Sequence, residues 1–300
     1  MDANWPQQDT DSVELALFDV DGPITHPESR KIEQPEILDL TLNFLSRNGY
    51  VAYNTGRASS IIHERVISPL LTRAVARGID PAAVSRRISV FAEKGAVTSV
   101  WDDAQRQWQH RVDPATEVPV ELRGAVADLL RGDHEFQAHI FYDSDKETMV
   151  SVEMRRETAG PLPVPVTVRT FKPIAERFAA EVQELATERG YHDLEVDCTT
   201  IAVDVQRRGV GKDLGARLAL GWLQDLGKQI TRIHCFGDSR SDVAMAAEAY
   251  FAMNQWYADA AGRVMYVHVG ENLPIDGPFQ VRTFPNMYGL GTVAYLKMLS

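Results

Sequence analysis

Short apolar runs alternate with longer stretches of helical period at both ends of the chain, and this alternation constrains the fold more than any other feature. Val13-Glu14-Leu15-Ala16-Leu17-Phe18 reads as a buried strand that ends at Asp19 and turns at Gly22-Pro23. Ile37, Leu38, Leu42, Phe44 and Leu45 then make a helical stripe within 35–48, with Gly49 placed as the glycine that closes a helix. A second strand over 50–53 runs into Asn54-Thr55-Gly56-Arg57, followed by a helical stretch to Arg77, broken near Pro69, and a third strand over 88–91. Strand, helix, strand, helix, strand predicts an α/β fold with a Rossmann-like parallel-sheet core covered by helices.

The middle of the chain follows another order. A hairpin turning at Asp102-Asp103 leads into a helix over 120–130, strands over 140–142 and 149–154, a crossing with Pro161, Pro163 and Pro165, a helix over 173–189 and strands to Val205. That mixture predicts a small α+β domain inserted into the first, so that 1–112 and 208–300 form the core and 113–207 the insert, with 1–12 a tail. After Gly211 the alternation resumes: a helix over 212–226, a strand over 230–236, a helix over 241–249, strands over 251–253 and 264–269, and a closing helix from Gly291.

Two strands run into acid pairs. Asp19 and Asp21 follow Phe18, and Asp238 and Asp242 follow Phe236-Gly237, with Asp242 one helical turn beyond Asp238. In an open α/β sheet, ligands bind at the carboxyl ends of strands, so the four acids converge if their strands are central. Four carboxylates in one crevice repel one another unless a divalent cation sits among them, and an all-oxygen donor set suits Mg²⁺. Asp242 and Ser241 also fit a helix N-cap. Thr55, Gly56 and Arg57 close the second strand as a turn able to present a hydroxyl and backbone N–H groups to an anion. Gly209-Val210-Gly211-Lys212 matches neither the nucleotide phosphate loop nor the dinucleotide fingerprint, which leaves Lys212 as a point charge for a phosphate or as a solvated lysine at a helix start.

Composition closes off other classes. Lys plus Arg number 31 against 42 Asp plus Glu, a net charge of −11 that works against binding nucleic acid or anionic membrane. Two cysteines without CxxC spacing predict a reduced, cytoplasmic setting, and the polar start of the chain is unlike a signal peptide. No apolar run reaches the length of a membrane span, and histidine spacing gives no zinc motif. Nothing in the sequence sets an oligomeric state.

The blocks LALFDVDG-PIT, NTGR, GVGK and FGDSRSD, in that order, resemble the haloacid dehalogenase superfamily of phosphohydrolases, with 36 residues from Asp19 to Thr55, 157 to Lys212 and 26 to Asp238. Phe91-Ala92-Glu93-Lys94-Gly95-Ala96 is similar to the Glu-Asn-Gly-Ala segment, and Phe251-Ala252-Met253-Asn254 to the Ala-Met-Gly-Asn segment, of the branch with a large α+β cap, which holds Cof-type, sucrose-phosphate and trehalose-phosphate phosphatases. Pro23, Lys94 and Ser241 depart from that pattern. The resemblance implies a Mg²⁺-dependent phosphatase acting on a small phosphorylated metabolite such as a sugar phosphate. Asp19 would be the nucleophile and Asp21 the acid–base. Asp19, Asp238, Asp242 and the Asp21 carbonyl would hold the metal, and Thr55, Gly56, Arg57, Lys212 and Ser241 the phosphate or substrate. Specificity is expected in the cap, where His139, Lys146, Arg155 and Arg156 are polar candidates. A phosphomutase and a non-catalytic phosphosugar-binding module remain alternatives, whereas a dehalogenase would not need Asp21.

Overall fold

The computed structural model describes residues 11–155, 164–199 and 201–299; most of the expected tail, Arg156, Pro161 and Pro163 lie outside the described residues. It divides into two compact units, Met1–Arg111 with Gly211–Ser300, and Val112–Val210. Along the chain come β1 (Ser12–Phe18), α1 (Glu36–Ser46), β2 (Gly49–Asn54), α2 (Ser59–Ile62), α3 (Ser68–Ala76), α4 (Pro81–Ser85), β3 (Ile88–Ala92), β4 (Val97–Asp102) and β5 (Gln107–Val112). The second unit supplies α5 (Val120–Gly132), α6 (His134–His139), β6 (Ile140–Tyr142), β7 (Val150–Met154), α7 (Val164–Glu188), β8 (Leu194–Cys198) and β9 (Ala202–Arg207). The first unit is completed by α8 (Lys212–Asp225), β10 (Gln229–Gly237), α9 (Val243–Trp256), α10 (Ala260–Arg263), β11 (Val264–His268), β12 (Gln280–Thr283) and α11 (Gly289–Leu299).

The first unit is a doubly wound α/β fold. Its sheet runs β12-β11-β10-β1-β2-β3-β4-β5, parallel from β12 to β3, with β4 antiparallel to β3. Alternation along β1 explains the two helix layers. Val13, Leu15 and Leu17 pack on one face with Ile233 and Cys235, against Ala216, Ala219, Leu220 and Leu223 of α8 and Met245, Ala246 and Ala249 of α9. On the other face Phe18 stacks on Phe236 at 4.2 Å between ring centroids, and Phe236 meets Tyr295 of α11 edge-on at 5.5 Å. β1 lies between β2 and β10, so the chain leaves the centre in opposite directions and opens a crevice at the strands' carboxyl ends.

In the second unit the sheet runs β6-β7-β9-β8, with Val150, Val152, Val203 and Val205 packing against Phe178 and Val182 of α7 and Leu122 and Val126 of α5. Residues of the opposite parity, Ser151, Glu153, Asp204 and Gln206, are polar, and the Ser151 hydroxyl donates to Asp204 Oδ1 at 2.7 Å. Among the described residues no helix is long and apolar enough to cross a membrane.

Three sequence expectations are corrected, and the expected break near Pro69 takes a particular form. The left-handed residue after α1 is Asn48, at φ 62°, while Gly49 opens β2; a Cβ on Gly49 would meet the Phe44 ring within 2.6 Å, so close packing, not a helix cap, demands the glycine. The break near Pro69 is a π-turn over His63–Ile67, where the Ser68 N–H reaches back to the His63 carbonyl. Pro69 can neither donate a helical bond nor tolerate the carbonyl four residues back, and the wider turn before it relieves both. Residues 251–253 are not a strand but the last turns of α9: Met245, Ala249 and Met253 are buried at helical spacing, and Phe251 is exposed. Helix α7 begins at Val164, with Pro165 in its first turn and Pro173 in its interior.

Candidate active site

Each acid pair sits where its strand ends. The Asp19 N–H donates to the Phe236 carbonyl at 2.9 Å, extending the β1–β10 ladder one residue past the strand and fixing Asp19 beside Asp238. Gly22 turns the chain at φ 91°, and any Cβ there would fall on the Asp238 carboxylate, so only glycine lets the two loops close on each other. Asp19, Asp238 and Asp242 bring one carboxylate oxygen each to within 4.8 Å of one another. Asp242 is fully buried; its Oδ2 accepts from the N–H groups of Asp238 (3.2 Å) and Ser239 (3.1 Å) and from the Ser239 hydroxyl (2.7 Å). It therefore shapes the loop that carries Asp238. Ser241 is exposed and pairs with the Ser239 hydroxyl at 2.8 Å.

Lys212, which the sequence leaves open as a solvated helix-start lysine, is buried. Its Nζ lies 2.7 Å from Asp19 Oδ1, 2.8 Å from Asp242 Oδ1 and 2.9 Å from the Asn54 carbonyl, to which it donates, so three oxygens surround the ammonium. The Asn54 side chain answers by donating to the Lys212 carbonyl at 2.7 Å, locking the end of β2 to the start of α8.

The Asp21 carboxylate stands outside the three-carboxylate group. It accepts from Arg57 Nε at 2.6 Å and from the Thr25 hydroxyl at 3.1 Å. The resemblance makes Arg57 a substrate contact, and here its Nε pairs with the Asp21 carboxylate. Thr55 is buried, and its hydroxyl accepts from the Arg57 N–H at 3.2 Å, a local turn that holds the loop after β2. Of the polar candidates in the second unit, Lys146 is buried 3.9 Å from Asp143, and Arg155 donates to the Ile140 carbonyl.

Electrostatics divide the acids. Burial, reinforced by Asp242 and Asp21 and opposed by Lys212, pushes the Asp19 carboxyl up to about 7. Burial with repulsion from Asp19 and Asp242 pushes Asp238 up to about 8. Burial acts on Asp21 in the same sense, but the charge and hydrogen bond of Arg57 outweigh it and leave Asp21 below the usual carboxylate range. An all-carboxylate cluster that resists ionisation alone is a fitting seat for a divalent cation.

A stability profile follows. Between the unfolded value near ~3.9 and the raised folded values, the native state binds more protons than the unfolded one, so stability falls as pH rises through 7 to 8. Asp21 has the opposite sign, but its contribution is lost only on acidification below the ordinary carboxylate range. In chelator, Tm is expected to drop from about pH 5.5 to about pH 8.5, by roughly 2–4 °C for each kcal/mol lost. Added Mg²⁺ should raise Tm more at the alkaline end, because metal displaces protons from the same oxygens. Thermal melts at both pH values check this; a metal-free Tm that rises with pH over that range contradicts it.

No protein-family model and no curated protein sequence matches the chain. Solved structures do. The C-terminal domain of trehalose-6-phosphate phosphatase from C. albicans superposes with a TM-score of 0.62 at 16% identity, covering 96% of this chain and 93% of that one. A haloacid dehalogenase-like hydrolase from Bacteroides thetaiotaomicron gives 0.59 at 10% identity, covering 96% and 100%. Trehalose-6-phosphate phosphatase from Aspergillus fumigatus gives 0.52 at 18% identity, covering 96% and 93%. This chain therefore has the fold of haloacid dehalogenase-like hydrolases over nearly its whole length.

Proposed function

We propose that the protein is a divalent-cation-dependent phosphomonoester hydrolase that works through an aspartyl-phosphate on Asp19, with a sugar phosphate or related small metabolite as substrate. The observation that carries this reading is the meeting, at the carboxyl ends of β1 and β10, of Asp19, Asp238, Asp242 and a buried lysine. Likeness of fold to trehalose-phosphate phosphatases supports the substrate class.

Asp19, Asp238, Asp242 and the Asp21 carbonyl would hold Mg²⁺, which when bound offsets the repulsion between an anionic nucleophile and a dianionic ester. Lys212 holds one Asp19 oxygen, leaving the other to attack phosphorus, so hydrolysis becomes two easier displacements. Asp21, ionised beside Arg57, is suited to take the proton from the water that hydrolyses the intermediate. An arriving ester competes with Asp21 for Arg57, and weakening of that pair raises Asp21's proton affinity, as an acid for the leaving alkoxide requires. The Thr55–Arg57 loop, tied to Asp21 through Arg57, is the segment that would receive the phosphoryl oxygens.

Phosphate release from a panel of sugar phosphates and a generic aryl phosphate, with and without Mg²⁺, tests the proposal. Steady release without a bisphosphate activator is the expected result. Release from none of them contradicts hydrolysis, and transfer that requires a bisphosphate would identify a mutase.

A further inference from the structure

Taken together, four carboxylates of the site, Asp19, Asp21, Asp238 and Asp242, face two cations, Lys212 and Arg57. A divalent cation brings those six groups close to neutrality, so they supply little net positive charge to draw in a dianionic ester.

The segment after β3 brings a third cation to the same loop. Glu93, Lys94 and Gly95 adopt three consecutive left-handed conformations, at φ 48°, 59° and 99°. Two of these are residues whose side chains rarely accept such a backbone. The surroundings enforce it. The Glu93 N–H donates to the Arg57 carbonyl at 3.0 Å and the Lys94 N–H to the Thr55 carbonyl at 2.8 Å, strapping the turn onto the Thr55–Arg57 loop. On its other side a Cβ at Gly95 would lie 2.7 Å from the Gly215 nitrogen, so the turn is wedged against the first turns of α8, the helix that begins with Lys212. The half-buried Lys94 side chain runs along Gly56, its Cε 3.9 Å from where a Cβ on that glycine would stand. A side chain at position 56 would therefore crowd the lysine stem.

From this juxtaposition we propose that Lys94 is a substrate-binding residue, whose ammonium, presented by the strained 93–95 turn beside Gly56, takes up the phosphoryl group of the ester. The inference rests on the phosphatase reading above and deepens it, by assigning ground-state capture of the dianion to a residue outside the carboxylate cluster. Because an ammonium beside the phosphoryl group binds ester and product phosphate alike, its loss is read mainly in KM and in product inhibition.

The test compares wild type with Lys94→Met, which keeps the stem against Gly56 and removes the charge, Lys94→Gln, and Lys94→Arg, all with saturating Mg²⁺. Expected are KM for the best ester and the inhibition constant of inorganic phosphate each raised tenfold or more in both neutral variants, with kcat changed less, Mg²⁺ dependence and Tm unaltered, and most of the loss recovered by Lys94→Arg. Neutral variants with both constants within twofold of wild type would overturn the role of Lys94 while leaving the phosphatase reading standing. Two neutral variants that fail to fold beside a folded Lys94→Arg would make the charge structural and overturn it as well. A wild-type protein that releases phosphate from no ester and is not stabilised by inorganic phosphate would overturn both readings together.

Discussion

Asp19→Asn is expected to lower kcat by at least ~10³-fold while leaving the fold intact, the size of effect seen when a nucleophile is removed from a preorganised site. The substitution is nearly isosteric, and it takes one negative charge out of a group whose members already repel one another. The introduced amide would keep a carbonyl oxygen towards Lys212, and the Asp19 backbone bond to Phe236 is untouched by the change. Thermal stability of the metal-free variant at neutral pH should therefore match or exceed that of the wild type. The two readouts together separate chemistry from folding. A variant with kcat within tenfold of wild type would remove Asp19 from the role of nucleophile, whatever its Tm.

Metal removal should act with comparable force. In excess chelator turnover is expected to fall at least ~10²-fold, in keeping with several kcal/mol of transition-state charge stabilisation, and Mg²⁺ should restore it. Ca²⁺ should fail to restore it, since it prefers more ligands at longer distance than three clustered carboxylates provide. Initial rates in metal-free buffer, titrated with each cation in turn, make the measurement. Undiminished turnover in chelator would contradict the assignment of the cluster.

The strands that end in aspartate are legible because strand period and glycine turns are local signals: Phe18-Asp19 and Phe236-Gly237-Asp238 mark both the end of an element and the start of a loop. Their convergence is legible only through the topology rule for parallel sheets, which the pairing of β1 with β10 satisfies. What local pattern does not carry is the choice of partner. Nothing in the spacing of Asp21 shows that its carboxylate turns to Arg57 and Thr25, nor does the sequence around Lys212 show a buried ammonium bound on three sides. The same limit explains 251–253, where Phe-Ala-Met has strand-like composition and only burial at four-residue spacing reveals the helix. Strain is equally silent. Glu93 and Lys94 are ordinary residues by type, and it is bonds to distant residues, such as those to Arg57 and Thr55, that hold them in left-handed backbone.

The central pairing of β1 with β10 joins residues as far apart as Val13 and Thr231, which are bonded across a separation of 218 positions. During synthesis the amino-terminal strands emerge first, carrying Asp19 and Asp21 with neither Asp238 nor Lys212 yet made. A partial chain thus holds one acid pair alone, and the proposed site is assembled only when the last third of the polypeptide has been added and paired with the first strand. The second unit, Val112–Val210, is spun out within that interval. Lengthening the closed loop by its span is less than a doubling, which costs under ~0.6 kcal/mol in closure entropy. Enlarging or shortening that unit would therefore change the cost of closing β1 on β10 very little.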